Sequence, residues 1–257
     1  MTAPAPIKQN GRIVVILCRG IGEPYAQNLL TYTVRNLDPK LFMVVELVWS
    51  AEFGPVPRWN GNSFGVNVAQ AERALRELIA LYPGAVVLGY SGGAQVAGNV
   101  AAAIARDPKS LGLWIRAVGL ISDPSRHTTQ IVGVNRGGQG IMGGRLIPTG
   151  KFHVWQLSAW GDPISELPDE AKGLAILAQG IEFFSLVDPI RWMDNLRWKA
   201  LTGRLRFWDT SINWAKAHQW SLGYTHDGRH TCYAREKMQG SDVTYADRLG
   251  QLVAGVR

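Results

Sequence analysis

The chain of 257 residues contains no uninterrupted apolar run of 18 residues, which excludes a transmembrane helix. Its two cysteines, Cys18 and Cys232, lie far apart in the sequence. They exclude a disulfide scaffold and leave too few thiols for a cysteine-rich zinc site. The opening residues, Met1-Thr2-Ala3-Pro4-Ala5-Pro6, have neither a basic nor an apolar segment, so no secretory signal is expected. No glycine-rich stretch runs into Gly-Lys-Ser or Gly-Lys-Thr, so a nucleotide phosphate loop is missing. Nor is there a fixed internal period. What the chain does have is apolar content, 46% hydrophobic against 18% charged. That supports one sizeable core and is too much for a disordered chain. Lys plus Arg total 27 against 20 Asp plus Glu, a formal charge of +7, and seven of the ten tryptophans lie from Trp155 onward. The basic residues are scattered, with no helix-turn-helix, RRM or zinc-finger pattern, so nucleic acid is not the expected partner.

The first half alternates strand and helix patterns. Arg12–Cys18, Phe42–Trp49, Ala85–Gly89, Ile115–Ile121 and His153–Ser158 read as strands. Asn28–Leu37, Val66–Tyr82 and Gly92–Arg106 read as helices, and Val243–Val256 as a closing amphipathic helix. Strands separated by helices predict a parallel sheet with helices on both faces. Residues 123–150, rich in turn formers, read as a surface loop. The character changes after Asp162. Residues 169–220 hold no convincing strand; Leu174, Leu177, Ile181 and Phe184 mark a helical stripe stopped by Pro189, and Trp192, Leu196, Leu205 and Trp208 suggest more helix. The expected organisation is a core of residues 1–162 and 223–257, with a helical cap inserted over 163–222.

The strongest local signal is Gly89-Tyr90-Ser91-Gly92-Gly93, between an apolar strand and an Ala-rich helix. A nucleophile elbow needs a serine on this sharp turn, with small residues two before and two after it. The helix N-terminus then aims its dipole and free amides at a developing oxyanion. A base and an orienting acid should follow in the order Ser, Asp, His. Of the five histidines, His127 lies in the Gly-rich loop, His153 begins a strand and His218 falls in the insert. His226 and His230 lie in Gly223–His230, read as a non-helical segment before the last helix, and placement favours His230 over His226. Asp162 sits at the exit of a late strand; Asp123, in Ser122-Asp123-Pro124 one strand earlier, is its rival. After the first strand, Arg19-Gly20-Ile21-Gly22 offers a second wall of an oxyanion hole, with the amides of Ile21 and Gly92 as the expected donors. Cys232 reads as a packing thiol, since the elbow favours Ser91 as nucleophile.

Two of these segments carry a family resemblance. Ile16-Leu17-Cys18-Arg19-Gly20-Ile21-Gly22-Glu23-Pro24 resembles the first-strand motif of cutinases, and Gly89–Gly93 resembles the Gly-Tyr-Ser-Gln-Gly elbow shared by cutinases and the lysin B family of mycobacteriophage esterases. The separation of 68 positions from Asp162 to His230 is more like lysin B, because cutinases keep a short acid-to-histidine connection and are typically disulfide-bonded. The resemblance covers nearly the whole chain. It implies a cutinase-like α/β-hydrolase fold with a helical linker over the site, and a triad of Ser91, Asp162 and His230. It further implies hydrolysis of the ester joining mycolic acids to arabinogalactan, aiding host lysis, with no cofactor and no metal. The expected protein is monomeric, touches the envelope only peripherally, and is made in the host cytoplasm before release to that envelope. A general cutinase-like lipase, and a degenerate hydrolase fold that only binds the wall, are the alternatives. Two positions depart from the family: Gly92 stands where Gln is usual, and Ile21 where a hydroxyl residue is common.

Overall fold

Val14, Val15, Ile16, Leu17 and Cys18 are all completely buried, as a strand covered on both faces requires. They belong to β1 (Ile13–Cys18), in a computed structural model that describes residues 11–182, 184, 189–205 and 209–257. The readings of Met1–Pro6 and of Trp208 fall outside those residues. The other strands are β2 (Phe42–Glu46), β3 (Ala85–Tyr90), β4 (Ile115–Ile121) and β5 (His153–Leu157). All pair in parallel, in the order β2-β1-β3-β4-β5. Before β5 come α1 (Leu29–Thr33), α2 (Phe64–Leu81), α3 (Gly92–Arg106) and α4 (Pro108–Leu111). After it come α5 (Lys172–Ile181), α6 (Pro189–Leu201), α7 (Trp214–Thr225) and α8 (Tyr245–Ala254).

Strand side chains alternate between faces, so each strand feeds two cores. Val14, Ile16 and Cys18 point into a layer with Leu75 and Ile79 of α2 and Val96, Val100 and Ile104 of α3. Val15 and Leu17 point the other way, against Leu30 of α1, Tyr233, and Leu249 and Val253 of α8. The strand order reverses direction between β1 and β3. In open α/β sheets that reversal leaves a crevice at the carboxyl ends of the strands. The loop after β1 and the turn after β3 meet there, the two segments singled out for chemistry.

Several expected boundaries move. The first helix closes at Thr33, after an N-cap in which the Asn28 side chain accepts from the Leu30 and Thr31 amides, and the chain continues to Leu37 in turns. β2 ends at Glu46, where its ladder with β1 ends. α7 runs through Thr225, so Gly223–Thr225 are helical and not part of a loop. The apolar stripe of α5 is not wholly inward: Leu174 packs with Leu167 and Ala171, but Leu177 and Ile181 are 44% and 45% exposed. α5 ends at Ile181, and Pro189 opens α6, a position where a missing N–H breaks no helical bond. Inward, α6 is tied to the end of α5 by Trp192 Nε1 on the Gly180 carbonyl (2.9 Å) and Lys199 Nζ on the Gln179 carbonyl (2.5 Å) and Glu182 (2.7 Å). Among the described residues of 163–222, the regular elements are all helical and none is a sheet strand.

Candidate active site

The turn between β3 and α3 holds Ser91 at φ 53° and ψ −120°, a left-handed conformation that costs a non-glycine residue about 1–3 kcal/mol. It persists because its neighbours dictate it. The Ser91 amide donates to the Ile121 carbonyl at 3.0 Å, and the Ser91 carbonyl accepts from Ala94 and Gln95 at 2.9 and 3.1 Å. A Cβ on Gly89 would lie 2.6 Å from Ala94 Cα, and one on Gly93 would lie 1.9 Å from the Cys18 carbonyl oxygen. The two glycines of the motif are therefore a steric requirement: the helix start lies flat on the end of its own strand and on the end of β1.

His230 lies in a single 3-10 turn, Arg229–Thr231, and is buried. Its Nε2 is 2.9 Å from Ser91 Oγ. The ring sits between Tyr90, stacked at 5.4 Å, and Tyr224, tilted at 5.1 Å between centroids. The Tyr90 hydroxyl also donates to the His230 carbonyl at 2.7 Å. The residue just before the elbow serine thus holds the histidine loop in place.

Asp162 is fully buried at the turn after β5. His230 Nδ1 is 3.3 and 3.4 Å from its two carboxylate oxygens. The same carboxylate accepts from the Tyr233 hydroxyl (2.5 Å), the Ser122 hydroxyl (2.5 Å), the Ser165 hydroxyl (3.2 Å) and the Ile164 amide (3.0 Å). Burial by itself works to raise the Asp162 pKa; the charge of His230 and hydrogen bonds from His230, Ser122 and Tyr233 outweigh it and hold the group below the ordinary carboxylate value. Ser122 Oγ also lies 3.0 Å from His230 Nδ1.

The rival acid is engaged elsewhere. Asp123 pairs with Arg145 at 2.5 Å and accepts from Gln156 Nε2 at 2.9 Å and from the Ser125 amide at 2.9 Å. It anchors the glycine-rich loop. That loop is held further by the fully buried Arg126, which donates to the Ser165 and Gly138 carbonyls and pairs with Glu166 at 2.8 Å. His226 is exposed at the end of α7, His127 contacts Thr129, and His153 stacks on Trp155. Burial raises the Cys18 thiol pKa, and pushes that of Cys232 up to about 12 with help from Glu236, so neither supplies a thiolate near neutrality.

Ile21 and Gly92 lie side by side: a Cβ on Gly92 would come within 2.8 Å of Ile21 Cγ1 and 3.3 Å of Phe64. Phe53 stacks on Phe64 at 5.3 Å, so the wall beside the elbow is apolar. Ser122, Tyr90, Tyr224 and Tyr233 were not singled out from the sequence. Of these only Tyr90 stands in a segment with a local signal, the elbow; Ser122, Tyr224 and Tyr233 reach the site from separate elements. Together the residues form a directed chain in which a carboxylate orients an imidazole whose far nitrogen can take a proton from a serine hydroxyl.

No protein-family model and no curated protein sequence matches the chain. Its fold is similar to that of solved structures. Lysin B from Mycobacteriophage D29 superposes with a TM-score of 0.59 at 16% identity, covering 95% of this chain and 99% of that one. A cutinase-like protein from Cryptococcus sp. gives 0.45 at 15% identity, covering 85% and 94%. The catalytic core domain of acetyl xylan esterase from Trichoderma reesei gives 0.49 at 18% identity, covering 67% and 96%. The shared architecture with lysin B extends over nearly the full length of both chains.

Proposed function

We propose that the chain is a serine carboxylic-ester hydrolase with Ser91 as nucleophile, His230 as general base and Asp162 as the orienting carboxylate. The observation that carries this reading is Ser91 Oγ 2.9 Å from His230 Nε2, on a strained turn at the N-terminus of α3. His230 takes the Ser91 proton as Oγ attacks the ester carbonyl. The tetrahedral oxyanion is met by the amides of Gly92 and Ile21 and by the positive end of the α3 dipole. Collapse expels the alcohol, protonated by His230, and leaves an acyl-serine. Water activated by the same imidazole then releases the acid. Ile21 supplies no hydroxyl to the oxyanion, and one such donor is worth about 10²–10³ in rate.

The finer reading is that the ester joins a mycolic acid to arabinogalactan, and that residues 163–222 form a cap over a core of 1–162 and 223–257. Three features support it: the fold similarity to lysin B across the insert as well as the core; the apolar wall of Ile21, Phe53 and Phe64 beside the elbow; and the surface of α6, where Ile190 (74% exposed), Met193, Trp198 and Leu201 (88% exposed) face outward. Between Pro189 and Trp220 there are six Lys or Arg against two Asp, a bias suited to an anionic envelope. Among the described residues, no helix is long and apolar enough to cross a membrane.

The core test is Ser91→Ala assayed on short- and medium-chain p-nitrophenyl esters, where hydrolysis should fall at least about 10⁴-fold. Unchanged turnover would remove Ser91 from the mechanism. Release of free mycolic acids from purified mycobacterial wall separates the finer reading from a general cutinase-like lipase, which would release none. A fluorophosphonate probe that fails to label Ser91 would favour a wall-binding module without turnover.

A further inference from the structure

Between Asp162 and His230 stands a hydroxyl that a Ser-His-Asp chain does not need. Ser122 Oγ lies 2.5 Å from Asp162 Oδ2 and 3.0 Å from His230 Nδ1, whereas Nδ1 lies 3.3 and 3.4 Å from the carboxylate oxygens themselves. Each of the two contacts through Ser122 is therefore shorter than the direct contact between carboxylate and imidazole.

Donor and acceptor accounting gives this arrangement one direction. An ionised carboxylate only accepts, so the Ser122 proton points at Asp162 Oδ2. For Nε2 to accept from Ser91, the neutral imidazole must carry its proton on Nδ1, and that N–H then donates to the lone pair left on Ser122 Oγ, shared with Asp162. Ser91, His230 and Ser122 each use one donor in one sense, and Asp162 ends the chain as acceptor. Tyr233 completes the carboxylate's shell at 2.5 Å, which leaves Asp162 no reason to rotate.

The backbone gives an independent indication. Ser122 has φ 53°, and among the described residues only Ala26, Ala51 and Ser91 share a positive φ without being glycine. Its amide donates to the Leu157 carbonyl at 3.0 Å, so the strain is imposed where β4 leaves the sheet beside β5. Glycine would relieve that strain at no steric cost. A fully buried serine here keeps a costly conformation and delivers a hydroxyl to the gap between acid and base.

We propose that Ser122 is a positioning residue that relays the Asp162 carboxylate to His230 Nδ1, making the working unit a chain of four side chains. This rests on the esterase reading, in which His230 becomes imidazolium as Ser91 attacks. The cation donates more strongly from Nδ1 than the neutral ring does, so the hydroxyl stabilises the state that forms during the reaction more than the resting one.

The test is Ser122→Gly, with Ser122→Ala beside it in case the glycine variant does not fold. Glycine suits the left-handed backbone, which offsets part of the loss of the buried hydrogen bond to Asp162, so the variant should stay folded with a melting temperature a few degrees below the parent's at most. On p-nitrophenyl butyrate, kcat should fall about 10- to 100-fold with KM within about twofold, as for an interaction made chiefly in the transition state. The acid limb of the kcat/KM profile should move about half a pH unit or more to lower pH, because imidazolium loses a hydrogen-bond acceptor. A folded Ser122→Gly or Ser122→Ala protein with unchanged kcat and an unmoved limb would make Ser122 a filler and overturn the proposal. A fall in kcat with no shift of the limb would overturn it too, since lost packing alone does that. Fluorophosphonate labelling of the parent at Ser91 is read in parallel. If the parent is unlabelled, the esterase reading itself fails; if it is labelled and Ser122→Gly behaves like the parent, only the relay fails.

Discussion

The turn around Ser91 and the helices of 163–222 are built on opposite terms. At the turn, Tyr90, Gly92, Gly93 and Ala94 around the serine are buried, and glycine is enforced at two positions by backbone atoms closer than a van der Waals contact. On these helices, large apolar side chains face outward, from Leu177 and Ile181 on α5 to Ile190, Met193 and Leu201 on α6. The first region holds a strained backbone that places Ser91 Oγ 2.9 Å from His230 Nε2. The second leaves apolar surface in water, a state that core packing would remove unless another surface met it. Chemistry that depends on a 2.9 Å contact needs the first kind of construction; under the proposed function, covering the site or meeting a lipid needs only the second.

The largest expected effect breaks the comparison at the acid. Asp162→Asn should reduce kcat on p-nitrophenyl butyrate about 10⁴-fold, because an amide cannot hold the imidazole in the required tautomer. The same variant carries a pH signature in stability. Asp162 has a folded-state pKa below its unfolded value, so its contribution is present above about pH 4 and lost as pH falls through the folded value. The difference in melting temperature between parent and variant should therefore be large at pH 7 and shrink on acidification toward pH 3. A constant difference would mean that packing, not ionisation, is what Asp162 contributes.

Gly93→Ala comes next. A Cβ 1.9 Å from the Cys18 carbonyl oxygen must displace backbone, and we expect a loss of more than about 3 kcal/mol or no folded protein in urea titration. Gly143→Ala is its control: no heavy atom lies within 4 Å, and only the φ of 94° resists it, so its loss should be the smaller of the two. The smallest pair compares the regions by burial. Leu75→Ala, in the completely buried layer under α2, should cost about 2–5 kcal/mol. Leu201→Ala, 88% exposed on α6, should stay within about 0.5 kcal/mol in the same titration. Equal losses would mean that Leu201 packs inside the fold and that the outward face of α6 is misdescribed.

Much of the fold was legible because its signals are local. A β-branched run reads as a buried strand whatever surrounds it, and Gly92–Arg106 and Ile115–Ile121 fall at the predicted residues. Gly89 and Gly93 were legible too, since the elbow's steric demand acts within five residues. The α5 stripe misled because periodicity identifies a helix with an apolar side but not whether anything covers that side. Gly223–Thr225 read as loop because a glycine inside a helix leaves no positive signal; its place is explained only by the backbone of Gly161, 2.6 Å from where a Cβ would stand.

The sequence by itself determined the order of the chain's parts: a strand–helix core of low cysteine content, a serine on an elbow, and candidate acids and bases in the sequence Ser, Asp, His. Covalent geometry and side-chain alternation act over a few residues, and the sequence carries them directly. It left Asp162 against Asp123 and His230 against His226 as alternatives. Only the tertiary structure decided which of them stand together, because that depends on where separate segments end in space. Arg145 and Gln156 occupy Asp123, and the Tyr90 hydroxyl fixes the turn that carries His230. Ser122 belongs wholly to this second class. A serine after a strand is unremarkable in sequence, and it acquires its place between acid and base only when β4 and β5 lie side by side and the chain of His230 folds back over them.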